Sequence, residues 1–161
     1  MKFRHVFQVQ APLAAVREFH GRSASMGSIT PPPVIARVHR APGRLAEGEE
    51  MDFTLWLGPL PIHWLARIEG VSEAGFIDRQ LSGPFEVWVH RHSFLPAGVQ
   101  ATQVVDEIEV CLKRNLLWRA VGLLMWLNLP VLFAYRSWKT RRLLEKPGSK
   151  SRSNQVNNAN H

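Results

Sequence analysis

Residues 75–112 read GFIDRQLSGPFEVWVHRHSFLPAGVQATQVVDEIEVCL, and their alternation decides the fold. Three β-type runs, 75–82, 85–95 and 100–112, are separated by Gly83-Pro84 and Pro96-Ala97-Gly98, where proline lacks an amide proton and glycine permits a turn. Connections this short favour antiparallel neighbours. Successive side chains on a strand point to opposite faces, so parity sorts each run into an inner and an outer set. In the last run Thr102, Val104, Asp106, Ile108, Val110 and Leu112 share one face, while Gln103, Glu107 and Glu109 share the other. The first set is predicted to face the core, with Asp106 as its anomaly. In the middle run the aromatics at both ends of Trp88, His90, His92 and Phe94 place that set inward, and in the first run the aligned set is Phe76, Asp78 and Gln80.

Working outward, the same text of short runs and turn residues extends back to Val34, with strands expected near 34–41, 49–58 and 61–71. Ile62, Trp64, Ala66 and Ile68 form the inner set of the third. Residues 2–10 read as a strand, after which Leu13, Val16 and Phe19 recur at helical spacing. Residues 21–33 are rich in Gly, Ser and Pro, with room for a second short helical turn before Pro31-Pro32-Pro33. Beyond the last strand, Leu116 to Tyr135 is almost wholly apolar and continues as a basic stretch to about Leu144, the length of one long helix. The expected architecture is α+β, a curved antiparallel sheet of about seven strands wrapped on a long C-terminal helix in the order β-α-α-β6-α. Residues 1–145 form that domain, and residues 146–161 hold almost nothing to bury and are expected to be a disordered basic and polar tail.

A chain of 161 residues suits one domain with a substantial core. Its formal charge of +7 would favour an anionic partner, but many of the excess cations fall between Arg136 and Arg152, which describes an appendage more than a binding face. Nucleic acid is not an expected partner, since the basic tail lacks interleaved aromatics for stacking. There is no Gly-rich phosphate loop. A lone Cys111 leaves no internal disulfide, and the opening residues lack the apolar core of a signal peptide, so a cytoplasmic location is expected.

The inward sets combine an apolar basin with a polar patch of Asp78, Gln80, His90, His92, Thr102 and Asp106. Buried polar groups are costly unless they pair or meet a ligand, and an apolar pocket with a few convergent polar groups is the usual form of a small-molecule site. The ligand-binding set is therefore Trp64, Phe76, Asp78, Gln80, Trp88, His90, His92, Phe94, Thr102 and Asp106. His90 and His92 with Asp78 and Asp106 are also the candidates for general acid-base catalysis, a carboxylate orienting and tuning an imidazole. A metal is not expected, because ligands two apart on a strand are separated by about 7 Å at the backbone and the rings would have to lean together. No cofactor is expected either. Cys111 has the opposite parity to Asp106, which leaves no nucleophilic triad.

The string Phe76-Ile77-Asp78-Arg79-Gln80, then Gly83-Pro84-Phe85, then Trp88-x-His90-x-His92-x-Phe94, then Thr102 and Asp106, resembles the SRPBCC superfamily, which includes START-like and polyketide cyclase/dehydrase proteins. The likeness is to its small bacterial ligand-binding members and extends to Pro31-Pro32, Trp64 with Ile68, and Phe133-x-Tyr135-Arg136. It implies a helix-grip fold with an interior cavity. Members carry lipids, sterols, quinones or polyketide intermediates, and some are cyclases or hydrolases, so fold alone does not select a function. Here Lys113-Arg114-Asn115 replaces the Pro/Gly turn usual before the last helix.

Three readings follow: a carrier or sensor of a hydrophobic small molecule, a cyclase, dehydratase or hydrolase, and a membrane-associated interaction protein. The third arises because Leu116–Tyr135 is as long as a bilayer is thick and is apolar nearly all round, where a lid needs only one apolar stripe. Its outer face is expected to meet a second copy in a homodimer or a membrane surface.

Overall fold

The computed structural model describes residues 1–145; the expectation for the tail at 146–161 lies outside them. Strand β1 (Lys2–Val9) leads into helices α1 (Leu13–His20) and α2 (Ala24–Ser28). A meander follows: β2 (Ile35–Arg40), β3 (Glu50–Leu57), β4 (Leu60–Ser72), β5 (Gly75–Ser82), β6 (Phe85–Gly98) and β7 (Ala101–Leu112). Helices α3 (Leu116–Leu127) and α4 (Leu129–Leu144) close the order. The seven strands form one antiparallel sheet in the order β1-β7-β6-β5-β4-β3-β2. β1 returns beside β7, and the Met1 ammonium donates to the Val110 carbonyl at 2.7 Å.

Parity holds where it was read. Thr102, Val104, Asp106, Ile108 and Val110 are buried, as are Ile62, Trp64, Ala66 and Ile68, and Trp88, His90 and Phe94. Burying this many large apolar side chains, each contributing about 1.5–3 kcal/mol, drives the sheet to curl around one core.

Two expectations need correction. The break at Pro96-Ala97-Gly98 does not end β6. The strand runs on to Gly98, and a register shift between Pro96 and Gly98 absorbs the proline, which cannot serve the hydrogen-bond ladder. The C-terminal helix is also not one piece. It breaks at Asn128, and α3 and α4 meet at a 45° bend. Pro130 has no amide proton for an interior helical bond and sits in the first turn of α4, where none is needed. The Asn128 side-chain amide donates back to the Leu124 carbonyl at 2.7 Å and closes the end of α3.

The two helices then do different work. Leu129, Phe133, Ser137 and Thr140 form the buried stripe of α4, which packs by β1. α3 buries only Val121 and Gly122 and leaves Leu116, Leu117, Leu124 and Leu127 more than half exposed. Gly122 sets its approach: a Cβ there would meet Leu112 at 3.0 Å and the Phe85 ring at 3.2 Å. Among the described residues no single helix is long and apolar enough to cross a membrane.

Candidate functional site: an apolar cavity with a His-Asp ring on its wall

The curved sheet, the segment around α2 and the α3–α4 bend surround a cavity of about 520 Å³. Most of its wall is apolar, with Phe53, Trp64, Phe76 and Trp88 from four consecutive strands of the sheet order and Met125 and Leu132 from the helices. Such a volume is in the range of small-molecule sites.

Strand register assembles the polar wall. Asp78 of β5 is opposite His90 of β6, and His92 of β6 is opposite Asp106 of β7. Residues directly opposite in an antiparallel pair have Cβ atoms about 5 Å apart, so four side chains on one face meet. The His90 and His92 ring centroids are 3.8 Å apart. Asp106 Oδ1 lies 3.1 Å from His90 Nε2 and 2.9 Å from His92 Nδ1, while Asp78 Oδ2 lies 3.4 Å from His90 Nδ1 and 3.8 Å from His92 Nε2. Imidazoles and carboxylates thus alternate around a closed ring. A carboxylate only accepts, so His90 donates from Nε2 to Asp106. The shorter approach of His92 to Asp106 is a close ionic contact whose angle falls short of a hydrogen bond.

The backbone brings β5 and β6 together closely at one point. Gly75 has φ +148°, and a Cβ there would lie 1.9 Å from the His92 carbonyl oxygen. Only glycine fits where β5 starts beneath His92.

Burial opposes charge on Asp78, His92 and Asp106, and pairing outweighs it. His92 is held up to about 9: desolvation acts against its charge, but Asp106 and Asp78 favour it more strongly. Burial likewise opposes ionisation of Asp78 and Asp106, yet the two histidines hold both carboxyls well below the usual carboxylate range. His20, at the end of α1, is pushed down to about 3, first by burial and then by the charge on His92. Burial also lowers Arg136 on α4, against the attraction of Asp106 and Asp78.

Of the ten residues expected to bind ligand, Trp64, Phe76, Asp78, Trp88, His90 and His92 line the cavity. Asp106 stands behind the histidines and reaches the cavity only through them. Phe94 is core, packed against Phe76 and His20. Thr102 is fully buried and donates to the Ala11 carbonyl at 2.9 Å, and Gln80 donates from Nε2 to the Phe85 carbonyl at 2.8 Å. Both are spent on backbone groups, Gln80 bracing the β5–β6 turn. Cys111 is exposed, as its parity required.

The cavity residues that had no place in the sequence reading of the site include His20 and Arg136. Each carried a local signal. His20 is four residues after Val16, which is fully buried, and Arg136 is three after Phe133, so both continue buried helical stripes.

Asp78, His90 and His92 each present a ligand atom within 4.8 Å of the others, the two-histidine, one-carboxylate composition that suits a divalent metal. Ligands on one ion with bonds of about 2.1 Å lie at most about 4.2 Å apart, so the three would have to close further. His92 would also have to release its proton.

No family model matches the chain, and no curated protein matches it. Solved structures do. A START superfamily protein from Mycobacterium smegmatis superposes with a TM-score of 0.66 at 13% identity, over 88% of this chain and 98% of that one. A Streptomyces aromatase/cyclase gives 0.65 at 15% identity, over 89% and 95%. Norcoclaurine synthase from Thalictrum flavum, in complex with dopamine and hydroxybenzaldehyde, gives 0.64 at 14% identity, over 93% and 89%. These likenesses establish the architecture, a helix-grip fold shared with these solved structures.

Proposed function

We propose that the chain binds and carries an apolar small molecule in its interior cavity, as a non-enzymatic protein of the cytoplasm. The observation that carries this reading is the cavity itself: about 520 Å³, walled by aromatic and aliphatic side chains, with polar groups gathered on one side. At about 25 cal/mol per Å² of apolar surface buried, a lipid- or polyketide-sized ligand supports micromolar affinity after association costs. The polar wall that carries the His-Asp ring orients its polar end.

The runner-up, acid-base catalysis by the ring, is weakened by the same geometry. A histidine that keeps its proton to about pH 9 is a poor proton acceptor at neutral pH. The exposed leucines of α3 are the face at which a second copy or a membrane surface would be met.

Non-denaturing mass spectrometry of the purified chain tests the carrier reading, with an added apolar mass that is released on unfolding as the expected result. The His90→Gln, His92→Gln double variant separates the alternatives. A carrier still binds, whereas turnover of the bound molecule that falls by about 10²-fold or more establishes the enzyme.

A further inference from the structure

Among the charged groups of the cavity wall, Arg136 is the one left without a partner. Its Nε is buried and makes no hydrogen bond, and its guanidinium carbon lies 5.3 Å from the Phe133 ring. The nearby acids are committed elsewhere, Asp78 and Asp106 each contacting both His90 and His92. Arg22, the other arginine on the cavity wall, is held by Glu18. Among the described residues Arg136 takes part in no ion pair. A guanidinium in this position normally has a carboxylate or phosphate opposite it, since a charge drawn away from water is costly unless an opposite charge compensates it.

Two more unpartnered atoms belong to residues of the same wall. Trp88 Nε1 is a buried donor without an acceptor, and indole nitrogen can only donate. His20 Nε2 is buried without a partner, and its ring is uncharged at neutral pH, so one tautomer makes Nε2 a third donor. The opposite wall is apolar through Met51, Phe53 and Trp64. The buried orphans of this wall thus include donors and one positive charge, while its acid, Asp78, already faces both ring histidines.

We propose that the ligand is an apolar carboxylic acid, its carboxylate taken by the Arg136 guanidinium and its hydrocarbon or aromatic body in the cavity. This rests on the reading of the cavity as a small-molecule site. A carboxylate presents two acceptor oxygens in a plane that matches the guanidinium fork, and it supplies the charge that Arg136 lacks. An alcohol or an ester of the same body fills the same volume but leaves the guanidinium unneutralised.

Trp64 and Trp88 line the cavity, so ligand entry is read as a change in tryptophan emission of the full chain. The probes are dodecanoic acid with methyl dodecanoate, and 2-naphthoic acid with its methyl ester, at pH 7.4. For at least one pair the acid binds about tenfold or more tighter than the ester, as a charge-assisted hydrogen bond predicts. In Arg136→Gln that preference falls to within about threefold, and in Arg136→Lys part of it returns, as expected for a point charge without the planar fork. Equal binding of acid and ester by the wild-type chain overturns the acid assignment and leaves the apolar site standing, a comparison that needs no variant to fold. An acid preference that survives in folded Arg136→Gln overturns the role of Arg136. Absence of binding by all four probes counts against the cavity reading and the acid together.

Discussion

His92→Gln is the perturbation whose consequence can be worked through from the ring. Four groups bear directly on His92: Asp78 from β5, His90 beside it on β6, Asp106 from β7 and His20 from α1, while Arg136 from α4 acts on the two carboxylates. In the folded chain His92 holds its proton to about 9, against 6.5 for the ordinary imidazole. A base whose folded value is raised contributes stability that is fully present below pH 6.5 and is lost as pH rises through about 9. The 2.5-unit difference corresponds to roughly 3 kcal/mol at about 1.4 kcal/mol per unit. For a domain of this size that is on the order of 10 °C in Tm. The assay is thermal unfolding of wild type and His92→Gln at pH 6.0, 7.5, 9.0 and 10.0. Gln keeps a donor toward the carboxylates but cannot titrate there, so the difference between the two proteins narrows by about 3 kcal/mol from pH 6 to pH 10. Surface groups titrate alike in both and cancel. Parallel curves across that range would refute the assignment of a protonated His92 to the ring.

The other expectations concern packing, backbone, metal and surface. Phe133→Ala empties a fully buried position against the ring and is expected to cost about 3–5 kcal/mol in denaturant unfolding. Gly75→Ala places a methyl group against the His92 carbonyl at a glycine-only φ and is expected to lower stability by about 3 kcal/mol or more, with a Tm measurement as the check. Chelator is expected to leave Tm and ligand binding unchanged, because an ion at Asp78, His90 and His92 must displace a proton that His92 holds to about 9, a handicap on the order of 3 kcal/mol at pH 7. The exposed leucines of α3 are expected to appear as a dimer on sizing without detergent or as membrane attachment released by carbonate, and a monomer that stays free of vesicles would show that this face has neither partner.

The strand parities were legible because a one-residue slip would turn a whole apolar set to solvent, so the pattern of β7 admits one solution. That argument alone placed His90 and Asp106 inside, on neighbouring strands. Other features depended on the packed chain. The break at Asn128 turned on Pro130, whose conflict with a continuous helix was visible, but the 45° bend that seats Phe133 and Arg136 over the ring is a matter of how two helices cover one sheet. Gln80 and Thr102 had the right parity for the cavity, yet their side chains turn to the Phe85 and Ala11 carbonyls, acceptors that pattern reading along one strand does not reveal. His20 and Arg136 lie 116 positions apart and belong to helices at opposite ends of the described chain. Helical spacing on its own could give each a buried face. Only the closure of α1 and α4 over the same sheet put them on one cavity wall, because side chains so distant in sequence meet through the fold that both elements bury against.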